Sequence, residues 1–149
     1  MGMLEAFAPL LGNWTGTEQQ EASAWSGASG ARAAITFKLD VGGTAVVQEY
    51  RQVRADGQEF LGHGVFLLEP GTPRVLWWLF DSYGYPPEPA TGGWDGPALT
   101  LTKVTPRGAA YHRFTVDGDR LDSRIETAPD ADAAPAPFLA GRYRRVSGH

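Results

Sequence analysis

Gly12-Asn13-Trp14-Thr15-Gly16 stands just after a short apolar stretch, and Gly141-Arg142-Tyr143-Arg144-Arg145 stands near the other end of the chain. A Gly-x-Trp that opens a first strand and an arginine on the last strand can together close a β-barrel. The indole plugs the floor, and the guanidinium lies flat on it as a cation–π lid. Trp14 is therefore read as structural, with Arg142 or Arg144 as its partner. Both arginines point the same way from a strand, so parity does not choose between them.

Everything between these two stretches is punctuated like an all-β protein. Turn signals recur at Gly27 to Gly30, Gly42-Gly43, Asp56-Gly57, Pro70-Gly71, Tyr83 to Gly93, Pro106-Arg107-Gly108, Asp117-Gly118 and Pro129 to Pro137. Their spacing of roughly 8–14 residues is that of a single antiparallel sandwich or barrel. The stretches between them predict strands over Asn13–Glu21, Ala31–Asp40, Thr44–Arg54, Glu59–Glu69, Arg74–Asp81, Ala98–Val104, Ala109–Val116, Arg120–Thr127 and Pro137–Val146. A short strand over Gly92–Gly96 would bring the total to about ten. Asp56-Gly57 and Asp117-Gly118 read as tight hairpins, which makes the order an up-and-down meander. Met3 to Leu11 predicts a short helix capping one end of the barrel, with Leu4, Phe7, Leu10 and Leu11 on one face and Pro9 late in it.

The 149 residues read as one domain over 1–149, long enough to hide roughly 70% of the extended surface. There are no cysteines, which excludes disulfides and thiol chemistry and fits a reducing cytoplasm. The net charge of −4 argues against nucleic acid or an anionic membrane as partner. No signal peptide and no membrane-spanning apolar run is read. Catalytic patterns fail as well. The chain has no Gly-x-Ser-x-Gly elbow, no His-x-His or His-Glu-x-x-His zinc pattern (His149 is terminal), no spaced calcium ligands and no phosphate loop. No catalytic residue and no metal site is assigned.

Alternation assigns faces. His112, Phe114 and Val116 share one face, as do Ile35, Phe37 and Leu39. Two strands break the rule: Glu59–Glu69 and Arg74–Asp81 are apolar on both faces. Such strands are covered on both sides. One side is the barrel interior, and the other is expected to meet the helix or a second subunit in a homodimer.

The helix, Gly12-Asn13-Trp14 and the terminal Arg142-Tyr143-Arg144-Arg145 resemble the calycin superfamily, the lipocalin, fatty-acid-binding and avidin type of barrel. The order Leu11-Gly12-Asn13-Trp14-Thr15-Gly16, Gly62-His63-Gly64, Phe80-Asp81-Ser82-Tyr83-Gly84, Gly93-Trp94-Asp95-Gly96, Leu99-Thr100-Leu101-Thr102 and Gly141-Arg142-Tyr143-Arg144-Arg145 resembles a bacterial family with that barrel and no settled activity. The resemblance covers nearly the whole chain and implies a barrel able to hold a small ligand. Nitrobindins are relatives whose barrels hold haem through one histidine on a late strand; here the strands from Arg120 to Val146 carry no histidine.

The candidate ligand-binding residues are Phe37, His63, Trp78, Phe80, His112 and Phe114. Each has a plainer reading. His112 sits on an apolar face and either meets a ligand or is a core histidine with its own partner. His63 lies between glycines that admit a ligand or another backbone, or else mark a strand bend. Trp78 and Phe80 share one face and Trp77 takes the other, and either set can be the inner one. Glu49, Arg51, Arg113, Arg124 and Glu126 read either as inward charge, with an arginine holding a carboxylate as in fatty-acid-type barrels, or as a solvated outer face with cross-strand ion pairs. Tyr83 to Trp94 reads as a lid or a stiff loop packed by its own aromatics.

The leading expectation is a non-enzymatic binder of a small apolar or aromatic molecule, which a filled barrel would overturn. The alternatives are a haem pocket acting on nitrogen oxides or peroxides, with His112 or His63 on the iron, and a structural module that dimerises through the doubly apolar strands.

Overall fold

The computed structural model describes residues 2–21 and 29–146. The turn signal at Gly27-Ala28 and the terminal His149 lie outside them. The chain runs α1 (Met3–Phe7), β1 (Gly12–Gln20), β2 (Ser29–Asp40), β3 (Ala45–Arg54), β4 (Glu59–Leu68), β5 (Val75–Asp81), β6 (Ala90–Asp95), β7 (Ala98–Thr105), β8 (Gly108–Asp117), β9 (Arg120–Ala128) and β10 (Ala136–Val146), with a 3-10 turn at Val41–Gly43. The ten strands form one closed antiparallel barrel in which every strand pairs with its sequence neighbours and β1 pairs with β10. Closure leaves no free sheet edge to be satisfied elsewhere. Among the described residues no helix is long and apolar enough to cross a membrane.

α1 is shorter than the predicted Met3 to Leu11. Pro9 has no N–H to continue the helical ladder, and the chain turns instead through bonds from the Leu10 and Leu11 amides to the Phe7 carbonyl at 2.8 and 3.1 Å. A five-residue helix without a side-chain cap cannot hold itself together. It is held by packing. Met3, Phe7 and Leu10 are buried, whereas Leu4, expected on the inner face, is 55% exposed. Phe7 sits against Phe66 and Trp94 at 5.3 and 5.9 Å between ring centroids. The helix thus plugs one end of the barrel. Trp14 lies directly above it, fully buried, and donates its indole N–H to the Leu10 carbonyl at 2.9 Å.

The guanidinium over Trp14 belongs to Arg145, not to Arg142 or Arg144 as expected. It lies 4.3 Å from the ring centroid. The register explains the difference. Trp14 is opposite Arg145, and Tyr143 and Arg145 share the inward parity of β10, which turns Arg142 and Arg144 to solvent. Arg145 also donates to the Leu11 carbonyl and, at 2.8 Å, to that of Pro9. Gly12 makes this route available: a Cβ there would stand 2.8 Å from Arg145 Nη1, and the backbone at φ +124 disfavours any side chain.

The interior divides along the barrel axis. The half nearest α1 is packed solid by Trp14, Phe37, Val46, Phe66, Leu99 and Leu121. The other half is not filled.

Candidate functional site

The cavity occupies the barrel half opposite α1. It encloses about 240 Å³ and opens at the mouth formed by the ends of β3, β5 and β7 and the starts of β4, β8 and β10. Its wall combines apolar surface from Phe60, Trp77, Leu79, Phe114 and Ile125 with polar groups from Glu18, Gln48, Tyr50, Gln52, His112 and Tyr143. Charged Arg54, Asp81 and Lys103 also line it. An apolar chamber with a few convergent polar groups is the usual build of a small-molecule site, and eight- to ten-stranded barrels can enclose one such ligand.

Two irregularities shape the mouth. The β5–β6 ladder spans only Val75–Trp77 against Ala90–Gly92, so Trp78 to Asp81 of β5 have no partner on β6. A bulge between Pro137 and Leu139 on β10 turns both Phe138 and Leu139 toward the cavity. Tyr83, at the start of the 82–89 loop, packs on Phe60 at 4.9 Å and borders the opening.

Of the six expected ligand residues, the structure brings His112 and Phe114 to the cavity. Phe37 faces inward but belongs to the packed half, 1% exposed, against Phe66 and Phe114. His63, Trp78 and Phe80 face outward. The inner set of β5 is Trp77 with Leu79, fixed by the pairing of Phe66 with Trp77 and of Val65 with Trp78. His63 pairs with Glu49 on the outer face, where Arg51 also pairs with Glu59. The glycines flanking His63 serve the inside. A Cβ on Gly64 would stand 2.3 Å from Gln48 Oε1 and 2.6 Å from Trp77 Nε1, the two atoms that share a 3.1 Å hydrogen bond. The expected cover for the outer side of β4 and β5 is not supplied by α1, which plugs the barrel end; Leu61 and Phe80 are each 49% exposed.

His112 meets the edge of Trp77, with centroids 4.8 Å apart. Burial, with Lys103 nearby adding repulsion, pulls its pKa down to about 4. The imidazole is therefore neutral near pH 7, with one donor and one acceptor nitrogen. Among the described residues no side-chain hydrogen bond is made by the His112 ring.

The sequence reading missed the polar cluster. The carboxylate of Glu18 is 4% exposed and accepts from the hydroxyls of Tyr50 and Tyr143 and, at 2.7 Å, from Gln52 Nε2. Burial first, then the charge of Glu18, raises both phenols far above their ordinary range. Each keeps its proton and works as a donor to Glu18. Parity counted from Trp14 would have placed Glu18 inside, four residues along the same strand.

Of the two histidines expected as haem ligands, His63 faces outward and His112 is the one imidazole on the cavity among the described residues, a cavity of about 240 Å³. No metal-ligating cluster occurs among the described residues.

No family model matches the chain, and no curated protein matches it in sequence. Solved structures do. Rv2717c from M. tuberculosis superposes with a TM-score of 0.76 at 21% identity, over 97% of this chain and 97% of that one. The S-type phycobiliprotein lyase CPES from Guillardia theta gives 0.72 at 11% identity, over 100% of this chain and 95% of that one. EF1p2_mFAP2b bound to DFHBI gives 0.52 at 13% identity, over 97% of this chain and 99% of that one. At these identities the likeness is one of fold, and it places the chain among ten-stranded barrels of the calycin-like type.

Proposed function

We propose that the protein binds one small, largely aromatic molecule in the open half of its barrel and does no chemistry on it. The observation that carries this reading is the cavity itself. A barrel of this build can be filled with side chains throughout, yet here one half is packed and the other leaves about 240 Å³ beside Trp77, His112 and Phe114. That a solved barrel of similar fold is bound to DFHBI supports a small-molecule ligand. The neutral His112 and the acceptor-rich Glu18 cluster would orient the guest.

The test is a titration with acetophenone, a small aromatic, followed by NMR on the His112 ring and the Trp77 indole N–H. Saturable shifts confined to inward residues support the reading. Unmoved His112 and Trp77 signals at millimolar probe would sink it.

A second reading concerns the outside. The half-exposed Leu61 and Phe80 favour self-association through β4 and β5, which is independent of the cavity. Light scattering that shows a monomer at high micromolar concentration would dispose of it.

A further inference from the structure

Glu18 is surrounded by donors: each phenol spends its single proton on it, and Gln52 spends one of its two N–H protons. Oε1 accepts from Tyr50 and from Gln52, and Oε2 accepts from Tyr143. A phenol has one proton to give, and both phenols give it to this carboxylate. Gln52 turns its carbonyl oxygen to Arg54 Nε at 3.1 Å, which draws that guanidinium to the amide. A carboxylate offers about four acceptor positions. Three are used, and the vacant one lies on Oε2. What Glu18 itself still offers to the cavity is acceptor capacity, one carboxylate lone pair, while the nearby donors, the second Gln52 N–H and the Ser123 hydroxyl, have the phenol oxygens of Tyr50 and Tyr143 beside them.

A guest group that brings another acceptor meets repulsion here. A guest group that brings an N–H meets a buried anion, and charge-assisted hydrogen bonds are the strong ones. The apolar wall at Trp77 and Phe114 suits a flat ring. The other charges facing the cavity, Arg54, Asp81 and Lys103, carry both signs, so the rim sets no strong overall preference.

We propose that Glu18, Tyr50 and Tyr143 anchor the N–H donor end of a flat aromatic ligand of the aryl-amidine or aryl-amine class. This rests on the cavity being a ligand site and specifies the chemistry it selects.

Benzamidine and acetophenone share an outline, but only benzamidine carries N–H donors and it is a cation near pH 7; benzamide, neutral with an NH2 group, is titrated beside them to separate donation from charge. Each is titrated into the intact protein and into Glu18→Gln, with His112 and Trp77 NMR shifts as readout. Benzamidine is expected to bind at least about tenfold tighter than acetophenone, a ratio within reach of one hydrogen bond to a charged group. Glu18→Gln should remove that preference while leaving acetophenone within about twofold. Should Glu18→Gln fail to fold, Glu18→Asp draws the carboxylate back by one methylene and is expected to reduce the preference while leaving acetophenone within about twofold. Equal affinities in the wild type, or a preference that survives Glu18→Gln, would overturn the donor anchor. If acetophenone binds and benzamidine does not, the anchor fails and the cavity reading stands; if neither binds, both fail.

Discussion

Replacing Arg145 with alanine removes the residue that ties the N-terminal plug to the barrel. Its guanidinium lies 4.3 Å over the fully buried Trp14 ring and donates to the carbonyls of Leu11 and Pro9, the segment that joins α1 to β1. Hydrogen bonds from a charged donor contribute roughly 1.5–3 kcal/mol each, and stacking on an indole adds about 0.5–1 kcal/mol. The side chain is 29% exposed, so the lower figures apply, and the ion pair with the 81% exposed Asp119 adds close to nothing. The expected loss is about 3 kcal/mol, or a fall in Tm of about 10 °C for a domain of this size. Urea unfolding followed by tryptophan fluorescence measures it. Arg145→Lys keeps the charge but not the planar fork and should recover less than half. Arg142→Ala and Arg144→Ala, whose side chains face solvent, should each stay within about 0.5 kcal/mol of wild type. The reasoning fails if Arg145→Ala costs under about 1 kcal/mol, or if either neighbour costs as much.

Three further outcomes are expected. His112 has a folded pKa of about 4 against an ordinary 6.5, so the unfolded chain binds its proton first. That contribution to stability is complete above about pH 6.5 and is lost as pH falls toward 4, up to about 3 kcal/mol. Urea midpoints of His112→Phe should fall less than wild type between pH 7.5 and 5, and parallel curves would contradict the assignment. Gly64→Ala places a methyl group against both ends of the Gln48–Trp77 hydrogen bond. It should cost about 1–3 kcal/mol and shift the Trp77 indole N–H resonance, and an unmoved resonance would show that the bond tolerates the methyl. Ala110→Phe grows into the cavity and should abolish acetophenone binding, whereas His63→Ala, Trp78→Ala and Phe80→Ala on the outer face should leave it within about twofold. Loss of binding in the outer variants would reverse the assignment of faces.

The candidate site was half legible in the sequence. His112 and Phe114 were readable because β8 alternates cleanly between apolar and polar. β4 and β5 gave no such guide. Their apolar residues occupy both faces, so nothing local distinguishes Trp77 from Trp78, and the pairing of Trp77 with Phe66 decides it. Glu18 was passed over because a lone glutamate on a polar-looking strand reads as solvated. Its burial depends on Tyr50 and Tyr143, which lie 32 and 125 residues away in the chain.

The sequence by itself determined the all-β class, the strand boundaries to within two residues, the meander order and the burial of Trp14. All of these follow from local signals: turn residues, strand periodicity, and a Gly-x-Trp after an apolar turn. Only the tertiary structure decided that Arg145 closes the lid, that the barrel half opposite α1 keeps a cavity, and that three donors converge on one carboxylate. Each depends on the register between strands distant in the chain. A shift of one residue would turn every one of those side chains to the opposite face.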